Sequence, residues 1–172
     1  MKQRYRQAME WLYLACIAIS GAALVLITLA IPYGVFMRYV MNDPASWPEP
    51  FSILMMVLFT FIGGAGVYRA GVHVAVVALL DAVGSRARRV LVALVDVCLA
   101  GTCLFMILWG TQLVDAIWHQ SIAEFPGLSA GLTYAPIPLG GMITLLFLAE
   151  RLWLGEPPPS SFMYSDEPRD LE

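Results

Sequence analysis

Four long apolar runs, separated by short polar connections, dominate the chain. The first, Trp11 to Ile31, holds 21 residues without a charge. The second, Phe51 to Tyr68, is also uncharged and stops at Arg69. The third lies within Val90 to Trp118 and contains Asp96 and Asp115, and the fourth runs from Pro136 to Leu154 and closes on Glu150, Arg151 and Trp153. Crossing ~30 Å of hydrocarbon takes roughly 20 mainly apolar residues. The pattern therefore predicts an all-α integral membrane protein with transmembrane helices at about 11–31, 51–68, 90–118 and 136–154. The first run continues through Tyr33 to Val40, well beyond the ~7–15 residues of a signal-peptide core, and is expected to be an uncleaved anchor. Between the second and third runs, Val76, Leu79, Leu80 and Val83 stand at i, i+3, i+4 and i+7. That spacing predicts an amphipathic helix over about 74–85, too short to span, lying on the inner membrane surface or packed on the spans. The connection at 119–135 is rich in Gly, Ser and Pro and shows no helical period.

Composition turns this pattern into a statement about solvent. Of 172 residues, 59% are apolar and 13% charged, against roughly 45–50% and 25% in soluble domains. The mean hydropathy is +0.72. A soluble chain of this size leaves too much of its area exposed to hide so much apolar surface. The bilayer must supply the burial, which argues against a soluble enzyme, a disulfide scaffold or a nucleic-acid binder. The net charge of −3 is also unevenly placed. Glu156 to Glu172 hold five acids and one base, leaving the remainder nearly neutral. The expected division is a four-helix membrane domain at 1–154 and a disordered, acidic cytoplasmic tail at 155–172.

Basic residues orient the spans. Lys2, Arg4 and Arg6 precede the first, Arg69, Arg86, Arg88 and Arg89 lie between the second and third, and Arg151 ends the fourth. The opposite flanks carry only Arg38. By the positive-inside rule both termini are expected in the cytoplasm, with Trp11 and Trp153 at the inner interface and Tyr39, Trp47, Trp118 and Tyr134 at the outer one. Asp96 and Asp115 are 19 residues apart, about 28 Å along a helix. Both can thus lie near opposite interfaces, where a carboxylate costs less than at the bilayer centre.

Catalytic chemistry is sparse. His73 and His119 fall on opposite sides of the membrane, which suits neither a haem nor a quinone site. Cys16, Cys98 and Cys103 sit in apolar runs without a C-x-x-C pair, as small hydrophobes would. Polar groups within the spans are mainly hydroxyls, and Gly63, Gly64, Ala65 and Gly66 form a smooth patch for a close helix neighbour. Asp96 is the candidate buried carboxylate, with an interfacial or paired structural role favoured. Three function classes follow: a non-enzymatic scaffold, a four-helix redox protein, and a small homo-oligomeric transporter coupled through Asp96. At the start of the second run, Ser46 and Glu49 have the S-x-x-E spacing of a capping box, with Glu49 alone as the other cap, and Pro50 is awkward in an early turn.

One set of residues discriminates among these classes. Arg38-Tyr39-Val40 ends the first span, Asn42 follows, and Ser46-Trp47-x-Glu49 opens the second. Arg69, Gly71 and His73 come next, and the last span opens with a proline and Gly140. Over about residues 5–154 this order resembles the small membrane subunit, DctQ-like, of tripartite ATP-independent periplasmic (TRAP) transporters. Pro50 replaces the family's usual second acid, Val77 replaces an acid four residues after the histidine, and the stretch between Pro126 and Pro138 is longer than usual. The resemblance implies a bacterial or archaeal inner-membrane subunit without catalytic or cofactor groups. It would brace a large DctM-like subunit that holds the substrate and sodium sites, while a DctP-like periplasmic binding protein delivers an organic acid anion. Arg38, Trp47, Glu49, Gly71 and His73 become candidate partner-contact positions. Interfacial anchoring for Trp47, capping for Glu49 and a positive-φ turn for Gly71 are the competing roles.

Overall fold

The computed structural model describes residues 2–70 and 85–154. The predicted amphipathic segment at about 74–85, except Ser85, the motif positions Gly71 and His73, and the tail from 155 lie outside the described residues. Among the described residues, helix α1 covers Lys2–Tyr39, α2 Pro48–Arg69 and α3 Ser85–Ile117. A short hairpin follows, with β1 at Ser121–Ile122 and β2 at Phe125–Ser129, then α4 at Ala130–Tyr134 and α5 at Pro136–Leu154. Among the described residues, four helical segments are long and apolar enough to cross a membrane, so the chain is a multi-pass membrane protein.

Helix limits differ from the apolar runs in instructive ways. The 38 residues of α1 extend about 57 Å, nearly twice the hydrocarbon thickness. The helix runs on through Pro32, which removes one backbone bond and is tolerated in transmembrane helices. Asn42, at φ 52, turns the chain after α1, and the Val40 and Met41 N–H groups both donate to the Phe36 carbonyl. The expected capping box is absent: Trp47 holds the cap position of α2 and no side chain caps it. Pro48 and Pro50 explain why this is tolerable. The first-turn N–H groups of a helix lack intrahelical partners, and two of the first three residues here have no N–H to satisfy. Pro50 therefore deletes nothing, and the first helical bond runs from the Phe51 N–H to the Trp47 carbonyl.

The 119–135 connection is structured. β1 and β2 pair antiparallel, Ser121 opposite Ser129 and Ile122 opposite Phe125. The Ser129 hydroxyl donates to the carbonyl of Trp118, the residue after α3, and accepts from the Gly131 N–H, so one side chain ties the hairpin to the exit of α3 and caps α4.

Packing arranges the spans in single file. α1 packs on α2, α2 on α5, and α5 on α3, while α1 and α5 meet only slightly. The outer helix α3 has 6% of its apolar window buried, against 39% for the segment containing α5. Consecutive glycines let α5 pack closely on both sides. A Cβ on Gly140 would stand 2.7 Å from the Phe61 carbonyl oxygen of α2, whereas one on Gly141 would meet Met106 and Cys103 of α3. The glycine-rich patch of α2 serves α1 in the same chain: Gly63 lies against Ser20, Gly66 against Cys16, and only Gly64 faces open space. Cys16 and Cys103 are buried in these contacts, whereas Cys98 is exposed on α3.

Candidate functional site

Two clusters of polar side chains mark opposite ends of the slab. The first is at the end where α1 begins and α5 finishes, where the Tyr5 and Trp153 rings approach to 6.1 Å. Arg69, the last residue of α2, donates from Nε to Glu150 Oε2 at 2.9 Å and from Nη2 to Oε1 at 3.1 Å. This is the two-pronged fork that matches guanidinium to carboxylate. Both side chains are buried, at 8% and 2% exposure. The guanidinium also lies over Tyr13 of α1, 5.3 Å from the ring centroid, and over Phe147 of α5 at 5.5 Å. Around it Met9, Tyr13, Ala65 and Phe147 form a buried cluster joining α1, α2 and α5.

The neighbouring residue reaches the other way. Arg151 Nη1 donates to Asp96 Oδ1 of α3 at 3.2 Å, in a more exposed setting. Successive residues on a helix point about 100° apart, so Glu150 and Arg151 fasten α5 to α2 and to α3. Asp96 therefore stands in an ion pair with its own chain. Arg69, Glu150 and Arg151 were not among the candidates drawn from sequence. Opposite charges at the same end of two spans, 81 residues apart, were the available signal.

The second cluster is at the hairpin end, between α1 and α2. A cleft of about 530 Å³ opens there, and Arg38 and Glu49 both line it, with Tyr39 and Ser46 beside them. Arg38 and Glu49 are exposed, and among the described residues neither has an ion-pair partner. Deeper walls come from Ile27, Ile31, Val35, Ile53 and Met56. Where the helices touch, a Cβ on Gly34 would stand 3.1 Å from Pro48 Cβ. Ser52 is buried and donates to the Pro48 carbonyl at 2.7 Å. Trp47 packs beside the cleft, between Tyr33 of α1 at 5.5 Å and Phe51 of α2 at 6.0 Å. It thus clamps the start of α2 onto α1. Of the candidate positions, then, Arg38 and Glu49 share a cleft, Trp47 is adjacent, and Asp96 is at the far end.

Comparison with known proteins gives this architecture a family. Residues 27–156 match the DctQ component of tripartite ATP-independent periplasmic transporters. A Haemophilus influenzae protein described as a TRAP transporter small permease protein is 25% identical over 141 residues, covering 82% of this chain and 84% of its own length. The four apolar helices and the matched span agree: the chain belongs to the DctQ family and is a small membrane subunit of a TRAP transporter.

Proposed function

We propose that this subunit is the stationary brace of its transporter. It holds a large membrane subunit that carries the substrate and sodium sites, and a periplasmic binding protein delivers an organic acid anion to the pair. The family implies both partners. The single-file packing is the observation that carries the reading. A slab in which α5 is fastened to α2 on one side and to α3 on the other keeps its own shape while leaving broad apolar faces open. Leu104, Phe105, Leu108 and Trp109 of α3 are all about half exposed, and the Phe105 and Trp109 rings stack at 4.7 Å. Substrate paths in transporters are marked by midplane charges and interrupted helices. Here the spans are continuous, and Asp96, the one candidate coupling carboxylate, is engaged by Arg151.

On this reading the chain needs no cofactor and performs no catalysis, and coupling to sodium belongs to the large subunit. The end where α1 begins and α5 finishes, with its bases, faces the cytoplasm of a bacterial or archaeal cell, and the hairpin end faces the periplasm. Co-expression with a DctM-like large subunit of the same organism, followed by purification in mild detergent, tests the proposal. A stable complex containing one copy of each is expected. Recovery of this chain by itself, with the large subunit folded and active in a separate fraction, would overturn it.

A further inference from the structure

We propose that the α1–α2 cleft binds one phospholipid with a primary-ammonium headgroup, its phosphate on Arg38 and its ammonium on Glu49. The cleft straddles two solvents. Its deep wall descends along α1 from Val35 through Ile31 to Ile27, each a helical turn apart, and faces Ile53 and Met56 of α2. From Arg38 to Ile27 is about 16 Å along the helix, well into the apolar part of the span. The mouth lies at the level where Tyr39, Trp47, Trp118 and Tyr134 stand exposed at the hairpin end, as side chains of the membrane–water boundary do. A water-soluble ligand has no use for a wall that descends into hydrocarbon, whereas an acyl chain lies along it.

The headgroup must supply the selectivity. Lipid tails are as apolar as the wall, so a chain settling in the cleft gains packing and little hydrophobic free energy. Arg38 and Glu49 provide opposite charges on one rim, exposed and unpaired among the described residues. Phosphate oxygens accept from the guanidinium, and a primary ammonium donates to the carboxylate. A glycerol headgroup would set its phosphate on Arg38 but bring no ammonium for Glu49 to accept from. A choline headgroup has no N–H to donate. The volume of about 530 Å³ falls within the range of small-ligand sites, roughly 300–1,000 Å³.

The test uses the full-length chain in mild detergent, stripped of lipid and titrated in native mass spectrometry. The probes are phosphatidylethanolamine, phosphatidylglycerol and phosphatidylcholine with identical acyl chains. Wild-type protein is expected to bind the ethanolamine lipid about tenfold more tightly than either other, the worth of roughly one charge-assisted hydrogen bond. Glu49→Gln should erase that preference, and Arg38→Gln should weaken all three lipids. Equal binding of the three by the wild type, or a preference for phosphatidylglycerol, overturns the proposal without recourse to any variant. So does a preference that Glu49→Gln leaves unchanged in protein with wild-type helicity. The outcome is independent of the bracing role, because a chain that failed to join a large subunit could still discriminate among these lipids.

Discussion

The two ends of the slab handle charge in opposite ways. At the end where α1 begins and α5 finishes, Arg69 and Glu150 are buried against each other and two aromatic rings, and Asp96 and Arg151 pair beside them. At the hairpin end Arg38 and Glu49 line one cleft yet remain exposed and unpaired among the described residues. A buried charge demands a partner, because removing it from water is expensive. An exposed one stays available for something outside the chain. The Arg69–Glu150 end is thus where the subunit holds itself together, and the hairpin end is where it can hold something else.

Breaking the buried pair should produce the largest effect. Glu150→Ala strands the Arg69 guanidinium between Tyr13 and Phe147, and a loss of about 3–5 kcal/mol is expected in reversible unfolding. Exchanging the charges in an Arg69→Glu/Glu150→Arg double variant should recover part of it. Crowding the contact between α2 and α5 comes next. Gly140→Val drives a side chain into the Phe61 backbone and should cost about 1–3 kcal/mol, whereas Gly64→Ala, facing open space, should leave the thermal midpoint within error. Asp96→Asn removes a partly exposed pair, at 14% and 31% exposure. It should cost about 0–1 kcal/mol and leave uptake by the assembled transporter largely intact, whereas an Asp96-coupled carrier would lose uptake altogether. At the hairpin end, Arg38→Gln should shift stability by no more than about 0.5 kcal/mol. A loss there as large as that of Glu150→Ala would erase the contrast between the two ends.

Much of the architecture was legible because membrane helices are specified by local composition. The last span, 136–154, matches α5 since two prolines open it and charged residues close it. α1 starts at Lys2, ahead of the run at 11–31, because a polar first turn looks like a limit when only the apolar run is weighed; its far end, Tyr39, agrees with a first span closing on Arg38-Tyr39-Val40. The hairpin was missed for a different reason. Its turn is Ala123-Glu124, without the Gly or Asn that usually announces a two-residue connection. The Arg69–Glu150 fork was partly legible, since the topology placed both charges at the same end, but pairing them requires knowing that α2 and α5 are neighbours. Gly140-Gly141 held that information in weak form: adjacent glycines on one helix permit close approach on two sides.

Reconstitution tests the central claim, that this chain supports transport and does not perform it. Proteoliposomes would carry this subunit by itself, the large subunit by itself, or both, with the binding protein supplied outside and a sodium gradient imposed. The account predicts organic-anion uptake only when both membrane chains are present. Uptake by this subunit without its partner would contradict it.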